Sequence, residues 1–192
     1  MKRTMINITM VIKLLQSSTH RFLVLLLVPI ILAGCSSKIS DYPLNQPKFD
    51  MQTFFNGKLR AYGLVQDRSG KVIRRFHVDL LGKWQNNHGI LEEVFYYEDG
   101  ETQQRTWSLT KQADGRYVGS ASDVIGKAVG QSQGFAFNWQ YTLTINVDNK
   151  PWNIHLNDWL YQLDDSRLIN RSQMSKWGFN VGEVTLIIEK EN

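Results

Sequence analysis

Phe135–Val147 reads FAFNWQYTLTINV. A large apolar or aromatic side chain stands at every second position, and a small or polar residue stands between each pair of them. In an α-helix, with 3.6 residues per turn, these apolar residues would spread around the whole circumference. In a β-strand, the same alternation places all of them on one face. The stretch therefore predicts a long strand with one buried face, as antiparallel sheets commonly have.

A second alternation runs through residues 71–85. Its apolar face carries Val72, Phe76, Val78, Leu80 and Trp84, and its polar face carries Lys71, Arg75, His77, Asp79 and Lys83. Turns rich in Gly, Asn and Asp separate further runs of β-branched and aromatic residues. These turns divide the chain into about nine strands, near residues 57–66, 71–85, 90–98, 101–110, 116–122, 135–147, 151–162, 168–175 and 181–189.

The short connections between these strands leave no room for crossover helices, so consecutive strands pair as an antiparallel meander. A meander of this length accumulates twist, and closure removes its two free edges. We therefore predict an all-β fold over residues 49–192, a single antiparallel up-and-down β-barrel of the calycin or lipocalin type. A β-sandwich or a half-open barrel is the alternative.

The N-terminus has the pattern of a lipoprotein signal. An apolar run of 11 residues, Phe22–Leu32, follows a basic segment without acids, and it ends in the sequence Leu32-Ala33-Gly34-Cys35. The run is too short to span a bilayer, which takes about 20 apolar residues, and small residues before a cut site are typical of secretory signals. We predict a signal peptide over residues 1–34 and acylation of Cys35. A buried strand followed by an ordinary cysteine is the alternative.

Cleavage before Cys35 changes the charge balance. The four basic residues ahead of it account for the net charge of +4, so the remaining chain has a net charge of zero. It therefore lacks the excess of basic residues that is typical of nucleic-acid-binding proteins. Cys35 is the only cysteine, which excludes an internal disulfide and, once acylated, a thiol nucleophile. We read residues 35–48, with Pro43 and Pro47, as a lipidated tether to the membrane.

Two charges interrupt the apolar faces of predicted strands. Arg74 shares the face of Val72 and Phe76, and Asp158 shares that of Leu156 and Leu160. A charge inside a barrel requires a partner, so these two residues are predicted to face each other or a polar ligand head, since a guanidinium binds carboxylates and phosphates well. The alternative places Arg74 at the rim and Asp158 in a bulge.

Aromatic side chains complete the candidate ligand site: Trp139, Tyr141 and Trp159. Trp159 belongs to the face opposite Asp158, with Asn153, His155, Asn157 and Tyr161, and that face lines the barrel only if the assignment is reversed. Gly126, Gly130 and Gly134 predict a long, flexible loop or a bulged hairpin over residues 123–134 at the barrel mouth.

No catalytic or metal-binding pattern accompanies these residues. His77 and Asp79 share one strand face and His88 lies in a turn, but no nucleophile or ligand cluster at the required spacing joins them. We predict no metal site, no cofactor and no catalytic residue.

A resemblance covers about residues 50–190. It rests on the run from Gly126 to Gly130 with Trp139-Gln140-Tyr141, on Asn157-Asp158-Trp159-Leu160-Tyr161, and on the stretch from Asn170-Arg171-Ser172 through Lys176-Trp177-Gly178 to Gly182-Glu183-Val184. This pattern resembles the uncharacterised proteobacterial lipoprotein family named domain of unknown function 3833. The resemblance implies a lipoprotein with a compact β-domain. Because the family has no assigned activity, the resemblance indicates no catalytic residues.

Three classes of function remain. The leading prediction is an outer-membrane lipoprotein, on the periplasmic face of a Gram-negative envelope, whose barrel binds or carries a lipid or other hydrophobic ligand. Ser36 after the cysteine is typical of lipoproteins sent to the outer membrane. A filled barrel that presents a surface to a protein partner is the second class, and an enzyme acting on envelope lipid is the third.

Overall fold

The computed structural model describes residues 37–44, 47–147 and 149–191. Ten antiparallel strands form a closed barrel in which each pairs with the next along the chain and the last pairs with the first. The strands are β1 (Gly57–Asp67), β2 (Val72–Gln85), β3 (His88–Tyr97), β4 (Thr102–Lys111), β5 (Tyr117–Ser120), β6 (Ala128–Gln133), β7 (Ala136–Val147), β8 (Lys150–Gln162), β9 (Arg167–Lys176) and β10 (Phe179–Lys190). The predicted all-β, up-and-down barrel is confirmed, and the sandwich and half-open alternatives are wrong.

Strand β6 is the one strand beyond the nine predicted, and it lies inside the segment predicted as a flexible loop or a bulged hairpin. Because β6 pairs with β7, the hairpin fits residues 128–133 and the flexible loop is wrong there. The reason is Gly130, which pairs with Trp139 on β7. A Cβ at Gly130 would lie 2.5 Å from the Trp139 ring and 2.5 Å from the Asn138 carbonyl oxygen. The strand needs glycine there for close packing, and a residue without a side chain contributes nothing to an alternation pattern.

One end of the barrel is filled by a short helical plug. Helix α1 (Met51–Phe54) precedes β1, and Phe49, Phe54 and Phe55 are almost fully buried around it. Phe49 packs against Phe137 with ring centroids 5.4 Å apart. We name this the closed end.

Asp50 fastens the plug to the barrel wall. One carboxylate oxygen caps α1 by accepting the Thr53 amide at 2.9 Å, as N-cap residues do. The other accepts the Tyr117 hydroxyl at 2.9 Å and the Lys111 ammonium at 2.5 Å. Burial alone would raise the pKa of Asp50, but these hydrogen bonds outweigh it and hold the pKa below its usual value.

The segment before the plug also touches the wall. A 3-10 helix, Ile39–Asp41, leads to Tyr42, whose hydroxyl lies 2.9 Å from that of Tyr161 and whose ring contacts Phe135 and Trp159. Part of the segment predicted as a tether is therefore packed on the outer wall. The signal peptide prediction and Cys35 lie outside the described residues.

Residues Lys38–Asn192 form a compact unit by themselves. Every residue of the described hydrophobic core and all ten strands of the barrel belong to this unit. The unit thus has a core of its own, as an independently folding domain does. Neither described helix is long or apolar enough to cross a bilayer.

Candidate functional site

Beyond the plug, the barrel encloses an open lumen of about 690 Å³. Its apolar wall includes Val78, Leu91, Trp107, Trp139, Leu156 and Leu186. The lumen extends to the end of the barrel opposite the plug, which we name the mouth and where Ile73, Arg74 and Ile145 line it. Small-molecule sites typically measure about 300–1,000 Å³ and are mostly apolar with a few polar groups, so the lumen has the size and character of a binding site.

The structure brings three of the five predicted ligand residues together. Trp139, Tyr141 and Asp158 are buried side chains that line the lumen. Trp159 does not join them, because successive side chains of a strand point to opposite faces. It lies on the outer wall, stacked on Tyr161 with ring centroids 6.2 Å apart. The prediction that Trp159 shares a ligand site with the lumen residues is therefore wrong.

Arg74 lines the mouth of the lumen but does not pair with Asp158. Its guanidinium makes a bidentate hydrogen bond to Asp99, with both distances 2.9 Å, and also binds Glu101 at 2.5 Å. Its Cζ lies 3.4 Å from the centroid of the Tyr97 ring. The predicted Arg74–Asp158 pair is therefore wrong, and Arg74 holds the β3–β4 turn against β2.

Asp158 is instead hydrogen-bonded inside the wall. Its side chain accepts the Tyr141 hydroxyl at 3.0 Å, and its other oxygen is 2.5 Å from Ser172 Oγ. Ser172 Oγ also lies 3.2 Å from Asn170 Oδ1. A hydroxyl has one proton to donate, so it cannot satisfy two acceptors at once.

A proton on Asp158 resolves this competition, because the acid would donate to Ser172 and free the Ser172 proton for Asn170. Burial raises the pKa of Asp158 to about 7, and the hydrogen bonds from Ser172 and Tyr141 oppose that rise only in part. Around neutral pH, Asp158 therefore exists in both protonation states.

A second polar group faces the lumen from the opposite wall. Arg105 on β4 binds Asp123, with Nη2 2.8 Å from the carboxylate, and its Nη1 lies 3.6 Å from Glu93 Oε2. That Glu93 oxygen is buried and has no hydrogen-bond donor. Burial raises the pKa of Glu93, and the charge of Arg105 counteracts it. Arg105 is thus the cation that balances two carboxylates at the lumen wall.

The Arg105–Asp123 pair also closes a gap in the barrel. Strands β5 and β6 are short, so the mouth-side half of β4 has a neighbouring strand only on the β3 side, and that of β7 only on the β8 side. The loop between them crosses the gap and binds β7 through the amides of Ile125 and Thr144, at 2.8 and 2.9 Å. Asp123 ties the same loop to β4.

Sequence reasoning missed Glu93, Arg105, Asp123, Asn170 and Ser172. The signal for four of them is present, since each interrupts an apolar alternation as Arg74 and Asp158 do: Leu91, Glu93, Phe95 on β3; Arg105, Trp107, Leu109 on β4; and Leu168, Asn170, Ser172, Met174 on β9. Asp123 has no such signal, because it lies in a loop.

The histidines discussed above lie away from the lumen lining. The ring of His77 stacks on Tyr96 with centroids 4.8 Å apart, and His88 Nδ1 lies 3.2 Å from the Thr110 hydroxyl. Within the part of the chain that the structure describes, no three His, Cys, Asp or Glu side chains are grouped to hold a metal ion.

Comparison with known proteins gives a single assignment. The chain matches the model of the family described as "Protein of unknown function (DUF3833)" over residues 29–190. A search of curated proteins finds no match. Because the match covers most of the sequence, including every strand of the barrel, this chain belongs to the DUF3833 family.

Proposed function

We propose that this protein binds an apolar amphiphile, such as a lipid, in the lumen of its barrel, and that it works as a lipoprotein anchored through Cys35. The observation that carries the proposal is the lumen of about 690 Å³ with its apolar wall. A filled barrel would pack its inward side chains to the density of an ordinary core. This barrel instead leaves a space of that volume among its inward side chains.

The polar groups of the lumen favour a particular kind of head group. Arg74 and Arg105 already bind carboxylates of the protein, so neither is free to clamp an anionic head. Glu93 offers an acceptor oxygen without a donor, and Asp158 is a second acceptor when ionised. A hydroxyl, amide or amine head would supply the missing donor, whereas a fatty-acid carboxylate would add negative charge to a wall that is already acidic.

The membrane part of the proposal rests on the sequence. The short apolar run, the basic flank and the small residues before Cys35 support acylation, and Ser36 supports delivery to the outer membrane, with the domain on the periplasmic face. More than one acyl chain is needed for stable anchoring. Such an anchor would keep the lumen close to a source of lipid.

The alternatives have less support. A purely structural lipoprotein does not need a hollow lumen, and the outer face of β8 around Trp159 and Tyr161 is partly covered by Tyr42 of the same chain. An enzyme would need a nucleophile or acid–base pair facing substrate. The ionisable groups that face the lumen are instead hydrogen-bonded or ion-paired within the wall.

Native mass spectrometry of the full-length chain, extracted from membranes in mild detergent, tests lumen binding. The expected result is a retained adduct with the mass of an amphiphile, released on collisional activation. Val184→Trp, which fills the lumen from β10, should abolish the adduct. Ile187→Trp is the matched control, because Ile187 lies on the exposed face of the same strand. A ligand-free wild-type mass, or an adduct that persists in Val184→Trp, would overturn the proposal.

The anchor has its own test. The wild-type chain should fractionate with membranes and carry the added mass of acyl chains on Cys35, and Cys35→Ala should lose both. An unmodified Cys35 in the wild-type protein would contradict the proposed anchor, and it would leave the result for the lumen standing.

A further inference from the structure

Large apolar side chains are concentrated around the mouth of the barrel. Trp177 is 87% exposed, Phe179 74% and Ile73 60%, and Ile145 and Trp152 are also more than one-third exposed. We name these five residues the apolar rim. Single exposed apolar residues are ordinary, but a group of them at one end of a molecule marks an interaction site.

The backbone at Trp177 is strained. Trp177 and Gly178 form the two-residue turn between β9 and β10, and both have positive φ, 53° and 83°. This turn type favours Asn or Gly at both positions, and a bulky residue with positive φ is rare. Among the described residues, the other non-glycine positions with positive φ are Asn86 and Asn149. Trp177 is the one aromatic residue in this group.

Trp177 therefore carries two costs that the fold does not require, backbone strain and an exposed indole. Asparagine would remove both and keep the turn. Strain of this kind persists at positions where a side chain has a function. The geometry thus indicates that Trp177 is kept for contact with something outside the chain.

A lysine links the rim aromatics. The ammonium of Lys176 lies 3.1 Å from the centroid of the Trp152 ring and 4.7 Å from that of Trp177. Lys176 pairs directly with Phe179 across the hairpin. Residues 149–157 and 174–182 contain no Asp or Glu, while Asp148 directly precedes the first of these ranges. With Lys150 and Lys176 against Asp148, this side of the mouth is aromatic and has a net positive charge.

The rim continues the wall of the lumen. Ile73 and Ile145 line the lumen and are exposed at the mouth, and Trp152 is the direct cross-strand neighbour of Ile145. Cross-strand neighbours project from the same face of a sheet. An apolar path thus runs from the inside of the barrel to its outermost aromatic side chains.

We propose that the apolar rim docks the mouth of the barrel on the surface of a lipid bilayer that contains anionic lipid. Tryptophan and phenylalanine beside lysine form the combination that prefers the membrane interface, where aromatic rings sit at the level of the headgroups and lysine meets lipid phosphate. Docked in this way, the open lumen faces the acyl chains directly. This goes beyond lumen binding, since it assigns a different surface and partner.

Flotation with vesicles of phosphatidylethanolamine and phosphatidylglycerol, mixed three to one, tests the proposal. The unit Lys38–Asn192 is used because it holds the complete core and has no acyl anchor of its own. The wild-type unit should float with the vesicles. The double variant Trp177→Asn, Phe179→Ser should bind at least tenfold more weakly, and Lys176→Gln roughly fivefold more weakly from the loss of one lysine near anionic lipid.

The controls separate this proposal from others. Tyr62→Ser and Leu163→Ser remove apolar side chains outside the rim that are 53% and 54% exposed, and they should leave binding within about twofold. Val184→Trp, which fills the lumen, should also bind normally, so failure of the lumen proposal would not imitate failure of this one. A wild-type unit that does not float, a double variant that floats equally well, or self-association through the rim without vesicle binding would each overturn the proposal.

Discussion

The two ends of this barrel are built from the same ten strands but packed in opposite ways. At the closed end, α1 and the aromatic residues around it fill the interior, and Asp50 ties the plug to the wall through Tyr117 and Lys111. Toward the mouth, the interior stays open, and Glu93, Arg105 and Asp158 stand among the inward apolar residues. The difference teaches that strand alternation specifies a barrel but not whether the barrel is hollow.

The closed end should be far more sensitive to loss of packing than the lumen. Leu168 is fully buried at the closed end, so Leu168→Ala leaves an enclosed void and should cost about 3 kcal/mol or more of unfolding free energy. Leu186 lines a space that is already open, and Leu186→Ala should cost about 1–2 kcal/mol. Urea denaturation measures both values. Equal costs would mean that the lumen is packed like the closed end.

The stability of the charged wall of the lumen should depend on Arg105. Arg105→Met leaves Glu93 and Asp123 without their partner and should destabilise the protein by about 2–3 kcal/mol, less than for a fully buried pair because Asp123 is partly exposed. Adding Glu93→Gln removes one of the stranded carboxylates and should recover about 1 kcal/mol. Additive effects of the two substitutions in urea denaturation would contradict a direct interaction.

The two ends should respond to pH with opposite sign. Burial raises the folded-state pKa of Asp158 to about 7, above its unfolded value of 3.8, so the folded state binds the extra proton between these values and stability falls as pH rises through that window. The groups facing Asp158 are Tyr141, Ser172, Arg105 and Glu93. At roughly 1.4 kcal/mol for each pH unit between the two pKa values, we expect a loss of about 3 kcal/mol between about pH 4 and pH 7, which Asp158→Asn should largely remove.

Asp50 provides the contrast at the closed end. Its folded-state pKa is lowered, so its contribution to stability is present above the unfolded value of 3.8 and is lost as the pH falls through the folded value. Asp50→Asn should destabilise the protein at neutral pH and have little effect at strongly acid pH. Thermal melts of both variants across the pH range measure this, and slopes of the same sign would contradict the assignment.

The smallest effect is expected at the mouth, and it is a gain. Trp177→Asn replaces a strained residue with one suited to positive φ, so it should stabilise the protein by about 0.5–1 kcal/mol, or about 1–4 °C in Tm. The reciprocal Asn86→Trp, at a position of the same φ, should destabilise it. A less stable Trp177→Asn would show that the indole supports the fold.

The architecture could be predicted from the sequence because the alternation of apolar and polar residues identifies most of the strands. Alternation such as that of Phe135–Val147 identifies buried faces, and closely spaced turns permit only antiparallel neighbours. It failed at β6, where Gly130 is required for packing under Trp139 and leaves no pattern. It also could not reveal the plug, since a single helical turn has no periodicity.

The candidate site was predicted in part. Trp139, Tyr141 and Asp158 follow from alternation alone, and the same rule applied to β3, β4 and β9 would have added Glu93, Arg105 and Ser172. The partners of Arg74 could not be predicted, because Asp99 and Glu101 lie in a turn and at its edge, where no periodicity fixes the direction of a side chain. Pairing of charges depends on distances that only the folded chain defines.

The central claim, that the lumen is open and accepts an amphiphile, is tested most directly by crystals of the unit Lys38–Asn192 grown with a bromine-labelled long-chain alcohol. Anomalous scattering locates the bromine independently of any model of the chain. The account predicts a bromine peak between Trp139 and Leu186, inside the lumen, and its absence in Val184→Trp. A wild-type lumen closed by inward side chains, with bromine found only on the outer surface, would contradict the account.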